Sequence, residues 1–205
     1  MKPSRGSATS SRILPLALCV VAACSTARVP GPSAHLVTGV PFYPQAPQQC
    51  GPAVLASMLG FFGHPATPES LAAEIYDSSA GGTSTVTMLS YGARHRLPVE
   101  TLRGDLGRIR AEIDAGRPVI ALLHKGWLFS GYHFVLLTGY EPGGGLLYGY
   151  SGRNSRASWE TDEFARRWAA ADNWTLVWTG DAEGSGAAPH RRAGEQNQPD
   201  TGKGK

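Results

Sequence analysis

Gln45-Ala-Pro-Gln-Gln-Cys50-Gly-Pro-Ala-Val-Leu-Ala-Ser-Met-Leu59 decides the reading of this chain. A polar loop runs into an apolar helical pattern, and a cysteine stands at the junction. Val54, Leu55, Met58, Leu59 and Phe62 recur at three- and four-residue spacing, which predicts a helix over residues 51–62 with a core-facing stripe. Pro52 suits its first turn, where a backbone N–H would lack an intrahelical partner, and Gly63 ends it. Eighty-three residues after Cys50 stands His133, in Gly131-Tyr-His133-Phe-Val-Leu-Leu-Thr-Gly-Tyr140, a histidine leading a strand of buried type.

Outward from these two stretches the pattern divides into halves. Thr67-Pro68 opens a second helix through Leu71, Ile75 and Tyr76, and a third covers 86–96 after the Gly81-Gly82 turn. Residues 97–102 read as a short strand. Residues 105–115 read as a helix with Leu106, Ile109 and Ile113 on one face, closed by Gly116. The second half carries apolar runs of strand length at 118–124, 133–140 and 145–151, with Glu141-Pro-Gly-Gly-Gly as a hairpin connection. A helix over 162–171, with Phe164 and Trp168 inward, precedes a last strand over 174–178. Helices first and an antiparallel sheet second make an α+β fold. This layout, N-terminal helices packed on a C-terminal antiparallel sheet, resembles the papain-like cysteine protease fold.

The ends of the chain have a different character. Lys2, Arg5 and Arg12 give a basic start without acids, followed by a short apolar run to Val21-Ala-Ala-Cys24. The run is too short to span a bilayer and reads as a targeting segment. Small residues before Cys24 make residues 1–24 look like a lipoprotein signal peptide, with Cys24 the lipidated residue; an ordinary signal peptide cut nearby is the alternative. Ser25, in place of an acid, points to the outer membrane. The expectation is therefore an exported protein, lipid-anchored and facing the periplasm. Residues 25–36 read as a tether, 37–179 as one globular domain, and 180–205 as a disordered tail without apolar periodicity.

Charge and cysteine usage narrow the function. The chain has 19 Lys and Arg against 16 Asp and Glu; residues 1–24 hold three of the bases and none of the acids, leaving 16 against 16. A balanced domain lacks the basic face of a nucleic-acid binder. Of Cys19, Cys24 and Cys50 only the last falls in the domain, so no internal disulfide is expected there. No cluster has metal-ligand spacing, and neither a metal nor a cofactor is expected.

A thiol at a helix N-terminus faces backbone N–H groups, and a nearby imidazolium would further favour the nucleophilic thiolate. Gln45, on the loop that folds over the helix start, is the candidate oxyanion donor together with the Cys50 N–H; Gln48 and Gln49 are its rivals. His133 is the candidate general base, held at the end of a rigid strand, with His124 as its rival. His64 and His95 are expected to face solvent, and His35 and His190 to fall in tether and tail. The group that orients the base is open between Ser151 and Asn154, with Asp162 placed instead in a helix first turn.

Val40-Pro-Phe-Tyr-Pro-Gln45, Cys50-Gly-Pro-Ala and Tyr132-His133-Phe-Val-Leu-Leu-Thr-Gly-Tyr140 together resemble the C39-like cysteine peptidases, the bacteriocin-processing type, in a stand-alone lipoprotein form. The resemblance implies Cys50 as nucleophile, His133 as base, Gln45 as oxyanion residue, and a peptide or protein substrate. Where the family carries an Asp-Pro pair on the strand after the histidine strand, this chain has Ser151-Gly152. Two other readings share these residues: a catalytically impaired peptide-binding lipoprotein, and an amide or acyl transferase on the same fold.

Overall fold

The computed structural model describes residues 28–126, 131–143 and 145–180. The predicted signal segment with Cys19 and Cys24, the tail beyond Gly180 with His190, and Gly144 of the predicted hairpin connection lie outside the described residues. Along the chain come β1 (His35–Leu36), α1 (Cys50–Phe61), α2 (Pro68–Ile75), α3 (Thr85–Arg94), β2 (Val99–Arg103) and α4 (Leu106–Asp114). Then follow β3 (Val119–His124), β4 (Tyr132–Tyr140), β5 (Leu146–Ser151), β6 (Asn154–Glu160), α5 (Thr161–Ala169) and β7 (Trp174–Trp178). The strands form one sheet in the order β2-β7-β3-β4-β5-β6, with β1 added against β4 and every pairing antiparallel.

Helix α1 is the centre of the fold. Ten of its 12 residues are buried, so the expected stripe is in fact a whole circumference. The reason is that α1 packs on α2 as well as on β3 and β4, and Gly60 lies so close to Pro41 that a Cβ there would stand 2.9 Å from the ring. A helix apolar all round is stable only when enclosed. Its end is well specified: Gly63 takes φ 78°, its N–H donates to Gly60 O and the His64 N–H to Leu59 O, the paired bonds of a glycine C-terminal cap.

Helices α2, α3 and α4 start on side-chain caps readable in the sequence. The Thr67 and Ser84 hydroxyls and the Asp105 carboxylate accept from the N–H groups of Ser70, Thr87 and Arg108. Helix α3 stops at Arg94 rather than Arg96, because Arg96 itself takes the left-handed conformation, φ 52°, and its N–H donates to Ala93 O while that of Leu97 donates to Gly92 O.

Strand β4 is buried at every residue from Phe134 to Tyr140, and α1, α4 and α5 all pack on the sheet around it. Two strands escape the sequence pattern. Residues 154–160 form β6, which the sequence reading did not assign to a strand, because only Ala157 and Trp159 are buried while the rest is polar and more exposed. His35 and Leu36, assigned above to the tether, form β1. The His35 ring bonds Asp114, and the Tyr140 hydroxyl donates to the same carboxylate. Earlier still, Arg28 pairs with Glu160, and Gly31 and Ser33 donate to Glu141.

Enclosure of α1 predicts a steep contrast between two truncations. Leu55, 2% exposed, should cost about 3 kcal/mol on replacement by Ala. Val86, 71% exposed, should shift stability by no more than about 0.5 kcal/mol. Urea unfolding of Leu55→Ala and Val86→Ala measures both.

Candidate active site

Cys50 is the first residue of α1, and its neighbours leave few backbone donors unassigned. The Gln49 N–H donates to Ala46 O and that of Ala53 to Gln49 O, while Pro52 has none. The N–H groups of Cys50 and Gly51 remain, and both act on the thiol, joined by the Phe134 N–H from β4. No side chain caps this helix and no acid sits in its first turn. The start of α1 is thus a donor cluster centred on sulfur, completed by the strand that carries His133.

Gly51 is required by contact. A Cβ there would stand 2.7 Å from the Cβ of Thr83, so the loop between α2 and α3 rests directly on the helix start. That loop, Cys50, His133 and Gln45 line one cavity of about 500 Å³, floored by Leu122 and Phe134.

His133 is part-buried near the start of β4, opposite Leu123 of β3. Its Nε2 lies 3.0 Å from the Ser151 Oγ, so of Ser151 and Asn154 it is Ser151 that contacts the ring. Ser151 ends β5, and the two-residue loop to β6 begins at Gly152, φ 65°, a conformation that suits glycine. Asn154 instead caps its own turn, accepting from the Arg156 N–H. Asp162 sits in the first turn of α5.

Gln45 arrives on a strap that runs along β5. The Tyr150 hydroxyl donates to Val40 O at 2.7 Å, the Phe42 and Tyr150 rings meet edge to face, and the Gln45 N–H donates to Gly152 O at 3.1 Å. The Gln45 Oε1 is buried without a hydrogen-bond partner. Of its rivals, Gln48 also reaches the cavity, but its amide oxygen accepts from Tyr76; Gln49 is the N-cap residue of α1. His124 is engaged at the β3–β4 hairpin, where its Nδ1 accepts from the Gly126 N–H. His95 bonds Glu74, and His64 is exposed beside Trp178.

The electrostatics differ from the expected thiolate–imidazolium pair. Burial pushes the Cys50 thiol above its ordinary value, only partly opposed by the N–H groups of Phe134 and Gly51 and by the Lys125 ammonium. Burial also draws His133 down to about 4, helped by the Lys125 and Arg167 cations. Ser151 can accept a proton's hydrogen bond from the ring but carries no charge to offset an imidazolium. At neutral pH the site therefore rests as thiol and neutral imidazole. Lys125 and the 81–85 wall were missed in the sequence; neither has a spacing signal, since both reach the cavity only through the packing of separate loops.

Among the described residues no group of three or more His, Cys, Asp or Glu side chains is placed to hold a metal ion, and no helix is long and apolar enough to cross a membrane. The model of the Peptidase_C39 like family matches residues 37–175. The chain belongs to that family. Solved structures agree on the fold. A protein from Bacillus anthracis described as a C39-like peptidase superposes with TM-score 0.59 at 15% identity, covering 72% of this chain and 98% of its own. The peptidase domain of Streptococcus ComA, a bifunctional ABC transporter of a quorum-sensing pathway, gives 0.56 at 17%, covering 68% and 98%. A double glycine motif protease from an AMS/PCAT transporter, solved with its leader peptide, gives 0.51 at 22%, covering 68% and 92%. No curated protein sequence matches the chain. Family and fold together give a papain-like α+β domain of cysteine peptidase type.

Two outcomes follow from the neutral histidine. A group whose folded pKa is depressed stabilises fully above its unfolded value, here 6.5, and loses that contribution as pH falls towards about 4. Urea unfolding should show the wild type losing on the order of 2–3 kcal/mol more than His133→Gln over that window. Ser151→Asp, which places a carboxylate at the same ring nitrogen, should raise the His133 titration point, read by NMR of the imidazole.

Proposed function

We propose that this protein is a peptidase that cuts a peptide bond through an acyl-enzyme on Cys50, with His133 as general base. The observation that carries the reading is convergence: the α1 start, the β4 start and the Gln45 strap all deliver side chains to one cavity, and the β5 end bonds the His133 ring there. With Nε2–H donating to Ser151, Nδ1 is the nitrogen left to take the thiol proton.

The neutral resting pair sets the order of events. The Cys50 sulfur attacks the substrate carbonyl carbon as its proton passes to His133. The carbonyl oxygen becomes an oxyanion facing the Cys50 N–H and the Gln45 amide donor. As the tetrahedral species collapses, the C–N bond breaks and the leaving amine takes the proton from the imidazolium. Water, deprotonated by the same imidazole, then hydrolyses the thioester and restores the thiol. Since Ser151 leaves the imidazolium uncompensated, charge separation is confined to the bound complex, where the oxyanion supplies the opposite charge.

The substrate is a peptide or protein, as the leader-peptide complex of the AMS/PCAT protease suggests by analogy of fold. The basic start, apolar run and Cys24 support an exported protein anchored by lipid at Cys24, facing the periplasm from the outer membrane. A second reading, a peptide-binding lipoprotein with little catalysis, is favoured by the serine in the carboxylate position and the raised thiol pKa.

Incubation with a random peptide library, read by mass spectrometry, separates the two. The peptidase reading expects new peptide termini with the wild type, none with Cys50→Ala or His133→Ala, and a loss of roughly 10²-fold in rate with Gln45→Ala. Peptide retention without cleavage by the wild type would instead establish the binding module.

A further inference from the structure

The wall of the cavity beside Cys50 carries a charge pattern that the proposed chemistry does not require. None of its lining residues is Asp or Glu, and one of them is Lys125. Lys125 follows β3, is exposed, and forms no ion pair among the described residues. Its ammonium lies close enough to act on both Cys50 and His133. Arg167, the other cation near His133, is already engaged by His124 O and by Glu163.

Two helices also begin at this cavity. Cys50 opens α1, and Ser84 and Thr85 open α3, a helix of 10 residues. Neither carries an acid in its first turn, so both partial positive ends are left without a carboxylate of the protein's own. On the same wall the Thr83 side chain rests against Gly51 at the start of α1. A cation without an acid and two helix starts without acids describe a wall suited to negative charge.

We infer that this site takes substrates bearing a carboxylate close to the bond to be cut, held by Lys125 against the 83–85 wall. The inference deepens the peptidase reading and rests on it for the word substrate, but the carboxylate preference can be measured without catalysis. The carboxylate has two sources, an Asp or Glu side chain beside the scissile bond or the C-terminus of a short peptide. An uncharged flanking residue would leave the Lys125 charge unanswered; a basic one would be repelled.

The test is alkylation of Cys50 in the full chain by iodoacetate and by iodoacetamide, followed at the Cys50 peptide by mass spectrometry. The ratio of the two rates cancels the thiolate fraction, so it reports anion preference even for a sluggish thiol. The expected ratio exceeds that of N-acetylcysteinamide, falls about fivefold in Lys125→Met, is kept in Lys125→Arg, and declines with added salt. A ratio equal to that of the free thiol, or unchanged in Lys125→Met, overturns the inference. Protection of Cys50 by three acetylated pentapeptides then assigns the source: one with an internal Glu and an amidated end, one with a free C-terminus and no acid, and one neutral throughout. Stronger protection by the first assigns the side chain, by the second the terminus; equal protection by the neutral peptide overturns the inference. A chain that keeps the ratio yet cuts nothing in the library retains a carboxylate site and loses the peptidase reading.

Discussion

A helix that is apolar around its whole circumference has to be enclosed, and in this chain the enclosing surfaces are β3 and β4 on one side and α2 on another. The rest of the site follows from that burial. Because Cys50 is the first residue of α1, seating the helix against β4 sets the sulfur beside the Phe134 N–H, one residue from His133. Cys50 and His133 come from segments 83 residues apart, yet their approach needs no dedicated contact between them. It is a by-product of core packing, and a disturbance of α1 would misplace the sulfur before it unfolded the domain.

The same burial sets the site's electrostatics. Low water access raises the thiol and lowers the imidazole, so each is neutral at rest. A helix start with its donors aimed at sulfur would by itself favour the thiolate, but here desolvation is the larger effect. A carboxylate behind the ring would shift the balance towards the ion pair; a serine oxygen at 3.0 Å fixes the ring without doing so.

The fold was largely legible because its elements are locally marked. Thr67, Ser84 and Asp105 cap helices, Gly63 and Gly116 end them, and the runs around Ile120 and Leu136 are strands buried on both faces. What was missed lacks such marks. Arg96 ends α3 in a conformation that sequence normally signals with glycine or asparagine. Strand β6 is a polar edge with two inward residues, and β1 is two residues long. In the site, Cys50, His133 and Gln45 sit in recognisable local patterns. Ser151 does not stand out from Asn154 until the Gly152 turn fixes the register of β5 and β6, and Lys125 is silent until the cavity exists.

The order of attachments along the N-terminal segment gives the molecule two poles. Arg28, Gly31, Ser33 and His35 fasten to Glu160, Glu141 and Asp114, and His35 lies opposite Tyr140 at the far end of β4 from His133. Seven residues of strand put those two ends about 23 Å apart. From there the chain climbs along β5 to Gln45, at the mouth of the cavity. A force applied at Arg28 would therefore load the pole of the domain opposite the cavity, leaving the strap to Gln45 as the path by which it reaches the site.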